Sequence, residues 1–389
     1  MATSADRTIP WVIEQQTAVK HELLRSYIGT WMKILWQQQE RLRQLAHLIY
    51  VDGFAGPGEY WTTEEHTEKV DGSPIVVGKI ANQLMKAGRK LDIIAFDTDR
   101  RTVDSLDQLL KSINTNQQAW EVRHGDFLTG AKGLMNQLAA RFGRDYPTFF
   151  FIDPFGYSGF PMKLLAEILR HERTEVFITL MTYDIVRFIG KPDSTEKMVE
   201  LFGTESYRDY TRCNTPEERV NFITTLYRSQ LLGMAKAKHV IGFRINTPGQ
   251  EGRARYFLFH ASTNITALKE MKNAMERTSD REFKFEAIGV GEGDQLDLFV
   301  ATPEAQIKAA LLGRIEKPPV RSIPYLELEN WGYERTSGVA RHIKVALVEL
   351  EKEGKVKIDR KPGWCLSIGR KAVASEIRES CAVELSSCY

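Results

Sequence analysis

Four hydrophobic runs in the first half of the chain each stop on or just before an aspartate, and that repetition restricts the fold more than any other feature. The first is Leu48-Ile49-Tyr50-Val51, closed by Asp52 and followed by Gly53-Phe54-Ala55-Gly56-Pro57-Gly58. The second, Leu91 to Phe96, is closed by Asp97 with Asp99 behind it. The third, Trp120 to His124, is followed by Gly125-Asp126-Phe127, and the fourth, Thr148 to Ile152, ends in Asp153-Pro154-Phe155-Gly156. Short apolar, β-branched or aromatic runs bounded by turn residues read as buried strands. Taken alone, the glycines after Asp52 fit an ordinary turn or a loop whose backbone approaches a ligand with no Cβ in the way.

Helical stretches separate these strands: Gly72-Ser73-Pro74 opens one running to about residue 87, and others cover about 102–113, 133–142 and 161–170. A fifth strand, Glu175 to Leu180, follows. Strands alternating with helices of this length predict an α/β fold with a mostly parallel sheet and right-handed crossovers. Val240 to Ile245 and Ala254 to His260 are strands too close in sequence for a crossover helix, so an antiparallel hairpin is expected at the sheet edge. Before the first strand, residues 1–47 carry a helix with apolar side chains at helical spacing, among them Leu23, Leu24, Tyr27 and Trp31, and Gly29 is a candidate break. Residues 59–71 are polar and read as a lid or surface loop. Residues 182–237 exceed what one crossover needs and read as a helical insertion in a domain spanning 48–280.

A linker is expected over 281–303, and beyond it, in residues 304–389, the pattern changes. Short helices over about 304–314, 325–331 and 336–353 precede two strands, 354–359 and 364–368, around the turn Lys361-Pro362-Gly363. That order is winged-helix-like. Arg335, Arg341 and Lys344 on the third helix, with Arg360 and Lys361 in the wing, suit phosphate contacts to RNA or DNA. Glu349, Glu351 and Glu353 on the same helix suit a protein interface equally well.

A chain of 389 residues, 42% hydrophobic, can bury a full core. Its formal charge of +2 neither demands nor excludes a nucleic-acid partner. Cys213, Cys365, Cys381 and Cys388 form no C-x-x-C pair, so no zinc or iron–sulfur site, and no other metal, is expected. The polar start and the lack of any membrane-length apolar run predict a cytoplasmic protein without membrane association. Oligomeric state is not legible.

Acids at the carboxyl ends of parallel strands line the rim where open α/β sheets bind ligands. Asp is also a favoured helix N-cap, and for Asp126 both readings stand. His260 reads as a strand-end cap or a lining of the substrate side. Lys20 and His21, near the start of the first helix, either pack or face the same cleft.

At these residues the chain resembles a family. Asp52-Gly53-Phe54-Ala55-Gly56-Pro57-Gly58 is similar to the glycine loop of class I S-adenosylmethionine-dependent methyltransferases. Asp153-Pro154-Phe155-Gly156 is similar to the Asp/Asn-Pro-Pro-aromatic motif of amino-methylating enzymes, and closer to the Asp-Pro-Phe-Gly of tRNA guanine-N2 dimethyltransferases. With the Lys20-His21…Tyr27…Trp31 helix and Met271 to Met275, about residues 11–280 resemble the bacterial three-Cys-motif partner proteins, encoded beside a radical-SAM-like protein that supplies the three cysteines.

The resemblance implies a Rossmann-like class I methyltransferase sheet and S-adenosyl-L-methionine as cofactor. Asp52, Gly53, Phe54, Gly56 and Gly58 would form its loop. Asp97 would hold the ribose, Asp126 the adenine amino group, and Phe127 would pack on the ring. Asp153 and the Pro154 carbonyl would orient an acceptor amine, with Phe155 as the aromatic and Gly156, His260, Lys20 and His21 on the substrate side. The third position of the motif is Phe155 where amino-methylating enzymes carry a second proline, which leaves the aim of the aromatic open. The functional expectation is methyl transfer to an exocyclic amine of a nucleobase in RNA or DNA. The alternatives are a peptide or small-molecule acceptor handled with a radical-SAM partner, and a non-catalytic scaffold.

Overall fold

The computed structural model describes residues 9–113, 118–143, 146–245, 256–278, 285–288, 303–316, 322–359 and 382–385. The chain divides into two compact units, residues 1–285 and 286–389. The turn expected over 246–252, the strand 364–368, the wing residues Arg360 and Lys361, and most of the linker lie outside the described residues.

In the first unit, α1 (Gln15–Arg41) is one unbroken helix. Leu23, Leu24, Tyr27, Ile28, Trp31 and Met32 form its buried stripe. Gly29 does not break it; a Cβ there would stand 3.4 Å from Ile80, so the small residue serves close packing of the next helix. The central strand β1 (Ala46–Asp52) is wholly buried. Residues 59–71, expected to be a lid, instead form a hairpin of β2 (Glu59–Trp61) and β3 (Lys69–Asp71). It is tied to the chain before α1 by Ile13 N–H to the Trp61 carbonyl at 2.8 Å and Trp61 N–H to the Trp11 carbonyl at 3.0 Å. Buried Tyr60, alone among polar neighbours, gives the hairpin its inward anchor.

Then come α2 (Ser73–Leu84), β4 (Arg89–Asp97), α3 (Arg100–Ile113), β5 (Gln118–His124), α4 (Phe127–Ala131), α5 (Leu134–Phe142), β6 (Thr148–Ile152), α6 (Met162–Leu169) and β7 (Thr174–Leu180). Three helices, α7 (Thr182–Phe188), α8 (Thr195–Phe202) and α9 (Pro216–Gly233), lead to β8 (His239–Ile245), β9 (Tyr256–Ser262) and α10 (Ile265–Thr278). A short β10 (Phe285–Ile288) follows.

The sheet runs β10-β8-β9-β7-β6-β1-β4-β5. Pairing is parallel from β5 through β7 and antiparallel where β9 meets β7 and β8. This is a Rossmann-like α/β sheet with an antiparallel edge. The β8–β9 pair forms as expected, but the later strand, β9, lies inside between β7 and β8. All seven of its residues are buried, so it needs a strand on each side. Chain order reverses at β1, which has β4 on one side and β6 on the other, and this switch opens a crevice at the carboxyl ends.

A buried polar knot fixes α1 on the sheet. Glu175 of β7 accepts from the Tyr27 hydroxyl, from Trp31 Nε1 at 3.1 Å and from His260 Nε2 at 3.0 Å. His260 therefore corrects the sequence expectation: it sits within β9, fully buried, and reaches no substrate surface. Its partner is 85 residues away in the chain.

The second unit contains α11 (Pro303–Ile315), β11 (Ser322–Pro324), α12 (Tyr325–Arg335), α13 (Ala340–Lys352), β12 (Val356–Asp359) and β13 (Ala382–Leu385). Ile307, Leu311, Leu328, Ile343 and Leu347 form its core. The sheet order is β11-β13-β12, all antiparallel, so the partner of β12 is 382–385. Arg335 ends α12 and does not open the third helix. The Thr336 hydroxyl donates to the Gly332 carbonyl at 2.7 Å and accepts from Gly338 N–H at 3.1 Å, which turns the chain between the two helices.

Replacing Glu175 with Leu strands three buried donors, each costing about 1–3 kcal/mol. The variant is expected to lose about 3–5 kcal/mol in urea unfolding; an unshifted midpoint would mean the knot does not anchor α1.

Candidate active site

Parallel register decides what meets at the crevice. Asp52 closes β1, with Ala95 and Phe151 opposite it on β4 and β6, so Asp97 and Asp153, each two residues further on, stand on the same rim. The chain after β1 crosses that rim: Gly53 N–H donates to the Phe151 carbonyl and Ala55 N–H to the Phe96 carbonyl, both at 2.9 Å. Gly56 and Gly58 have φ of +64° and +86°, backbone that glycine adopts without strain. A Cβ at Gly53 would press on the Phe127 ring at 3.0 Å, and one at Gly56 would strike the Tyr60 hydroxyl.

Asp52 is fully buried and holds the loop. It accepts from the Tyr50 hydroxyl at 2.8 Å, the Ser73 hydroxyl at 2.7 Å and Phe54 N–H at 3.2 Å. Burial raises its pKa to about 7 against the lowering effect of these donors. With its oxygens so engaged, Asp52 acts on a ligand through the loop. Asp97 accepts from Gly56 N–H at 3.1 Å and Asp99 N–H at 2.8 Å. Burial raises its pKa as well, and a carboxylate has further lone pairs for a ligand's hydroxyls.

Asp126 is exposed and caps α4, accepting from Thr129 N–H at 2.8 Å, which lowers its pKa. Of the two readings, the geometry gives the cap. Phe127 is only 2% exposed and packs against Phe54, Phe96 and Phe150. It supports the loop from beneath and has no free face for an adenine. Phe54 is half-buried above it.

On the other side of β1, Asp153 Oδ1 lies 2.6 Å from Lys20 Nζ, with the two side chains 10% and 7% exposed. No other described group binds Asp153, so Oδ2 stays available to an incoming donor. Lys20 Nζ is also 5.5 Å from the centroid of the buried Tyr256 ring. His21, next along α1, is buried beside Tyr60, ring centroids 5.8 Å apart. Its ring bonds the Asp71 backbone while Nδ1 has no partner, and burial lowers its pKa to about 4. The imidazole is neutral at physiological pH. Pro154 is buried, Gly156 half-buried, and Phe155 is 69% exposed.

Sequence reading thus named Asp52, Gly53, Gly56, Asp97, Lys20, His21 and Asp153, which the structure gathers around one crevice. It missed Tyr50, Tyr60, Ser73 and Tyr256. Tyr50 was findable, since residues i and i+2 of a strand share a face. No group of acids, histidines and cysteines among the described residues could hold a metal ion. No described helix is long and apolar enough to cross a membrane.

No family model matches the chain, and no curated protein does. Among solved structures it is similar to Trm1 from Pyrococcus horikoshii in complex with S-adenosyl-L-methionine, at TM-score 0.35 and 11% identity over 93% of this chain and 91% of that one. It is similar to human methyltransferase-like protein 13 in complex with SAH, at TM-score 0.33 and 14% identity over 74% and 98%. A Legionella pneumophila protein, LPL1258, gives TM-score 0.38 and 11% identity over 70% and 95%. At such values these likenesses carry no argument, and the chemistry rests on the chain's own geometry.

Asp153→Ala leaves the Lys20 ammonium buried without a counter-charge, a loss of about 3–5 kcal/mol. Adding Lys20→Met should restore most of that stability in a double-mutant cycle; additive losses would show that the pair does not interact. Asp52 gives a pH dependence. Its ordinary pKa of 3.8 rises to about 7 in the fold, so between these values the folded chain binds more protons than the unfolded one. Stability from this group is greatest below pH 3.8 and falls as pH rises to 7. Relative to Asp52→Asn, the wild type should lose up to about 1.4 kcal/mol per pH unit across that window and level off above it. Urea unfolding at each pH measures the difference, and a constant difference would contradict the buried-acid account.

Proposed function

We propose that the first unit transfers a methyl group from S-adenosylmethionine to an exocyclic amine of a nucleobase in RNA or DNA. The observation that supports this is the division of labour across β1. The glycine loop and Asp97 lie on the β4 side, and Asp153-Pro154 lies on the β6 side of the same switch point. The residues fit the cofactor. Backbone without Cβ at Gly53, Gly56 and Gly58 leaves room for its methionine part, and Asp97 offers lone pairs to the ribose hydroxyls.

When bound, the sulfonium supplies an electrophilic methyl group: the N–C bond forms as the C–S bond breaks, and its electron pair goes to sulfur. Everything else falls to the chain. A conjugated amine has its lone pair delocalised into the ring and is a weak nucleophile. Asp153 Oδ2 and the Pro154 carbonyl would take its two N–H groups and turn that lone pair toward the methyl carbon. Such placement supplies ~7–11 kcal/mol in well-oriented systems. The carboxylate also stabilises the positive charge that develops on nitrogen, and it is the group placed to receive the surplus proton. Lys20 on Oδ1 fixes the carboxylate's orientation. Exposed Phe155 offers a stacking face to a base drawn out of its helix.

One observation favours a smaller acceptor, a peptide or metabolite: the Asp153 side chain is only 10% exposed. A flipped-out base meets the same demand. The resemblance to three-Cys-motif partner proteins supports membership in that family and a radical-SAM-like partner. In the second unit the order helix, strand, helix, helix, strand, strand supports a winged-helix-like module for nucleic acid. Lys308 engages Glu353 at 2.8 Å and Glu349 at 3.4 Å, which offsets part of the acidic charge on α13 near exposed Arg341.

Calorimetry with S-adenosylmethionine and a labelled-methyl assay over total tRNA, plasmid DNA and cell lysate test the reading. Asp153→Asn is expected to bind the cofactor as the wild type does and to lose transfer by about 10²–10³-fold. Absence of cofactor binding, or transfer that survives the substitution, would refute it.

A further inference from the structure

We propose that Tyr60 is a further cofactor-contacting residue: its hydroxyl oxygen meets the methyl group of the bound sulfonium and distinguishes the methylated cofactor from its demethylated product. This rests on the methyltransferase reading above and deepens it.

The hydroxyl lies directly over Gly56, since a Cβ on that glycine would collide with the Tyr60 oxygen. Gly56 is the loop residue whose N–H reaches Asp97, so the hydroxyl stands above the bend that would carry the ligand. The charges of Asp52, Asp153 and Asp97 all act on the phenol, which places it between the cofactor side and the acceptor side of the rim. The residue is 6% exposed, yet among the described residues no group hydrogen-bonds its hydroxyl. Burying a phenol with its polar end unpartnered is costly, and a ligand that supplies a partner removes that cost. The ring itself is held, edge-on to Trp11 at 5.7 Å and beside His21 at 5.8 Å, so the oxygen is fixed in advance.

Burial and the surrounding carboxylates raise the phenol's pKa, which keeps it a neutral hydroxyl. Neutrality suits the task. A C–H bond on carbon attached to positive sulfur is polarised and makes a stronger C–H···O contact than an ordinary methyl group. A carboxylate in that place would stabilise the sulfonium before transfer and lose the interaction as its charge disappears, which raises the barrier. A phenol oxygen orients the methyl group without that penalty. The thioether product has neither the methyl group nor the charge and makes no such contact.

Calorimetry of the full chain with S-adenosylmethionine and with S-adenosylhomocysteine, in the wild type and in Tyr60→Phe, tests this without an acceptor. The phenylalanine keeps the ring contacts and removes only the oxygen. The Kd for S-adenosylmethionine is expected to rise about two- to fivefold while that for S-adenosylhomocysteine stays unchanged. Equal weakening of both, or of neither, would overturn the proposal and leave the methyltransferase reading intact. A wild-type chain that binds neither ligand would overturn both.

Discussion

Asp52 is a carboxylate with no exposure to water, and the geometry of the crevice depends on how its oxygens are satisfied. Tyr50 holds it from its own strand, Ser73 from the first turn of α2, and Phe54 N–H from the loop between them. Three pieces of chain far apart in conformation are thereby fixed to one group. A buried acid without such donors would have to shed its charge entirely; with them it is poised near neutrality. The loop that follows can then cross the sheet from the β6 side to the β4 side. Its path requires glycine at positions 56 and 58 by backbone angle, and at 53 by the closeness of Phe127.

The second determinant lies in α1, outside the alternating strands and helices. Lys20, Tyr27 and Trp31 are spaced seven and four residues apart, so they follow one face of the helix. Tyr27 and Trp31 bind Glu175, and that buried knot sets the helix against β7 and β9. Lys20 is thereby delivered to Asp153 two turns earlier, and His21 to Tyr60. The reach of an ammonium over the acceptor-side acid is a consequence of packing at a point well removed from the crevice.

The parts of this arrangement that were legible in the sequence are those encoded locally. Strands buried on both faces must be apolar throughout, so β1, β4 and β6 stand out, and the acids that end them mark the rim. The rest was decided by partners distant in the chain. His260 looks like a strand-end polar residue until Glu175, on a neighbouring strand, takes its Nε2. Asp126 fits a cap and a ligand equally well until Thr129 supplies the N–H. Residues 59–71 are polar enough to read as a lid; only the bonds to Trp11 and Ile13, nearly fifty residues earlier, make them a hairpin and bring Tyr60 inward. In the second unit, β12 pairs with a strand more than twenty residues further on, a register that no local pattern announces.

The three rim acids are held in three different ways, and this bears on what the crevice favours. Asp153 already has a cation at 2.6 Å. Asp52 and Asp97 have hydrogen bonds from neutral groups, and burial shifts both toward the protonated form. A neutral ligand between the glycine loop and Tyr60 would leave those two acids short of positive charge. A cationic ligand would favour their ionised forms, and by linkage its binding would release protons from the rim. Once that charge is lost in reaction, the same acids regain their protons and the crevice no longer favours what it holds. On the proposed chemistry the substrate cofactor is the cation and the product is neutral, so the burial of Asp52 and Asp97 would favour the one and help expel the other.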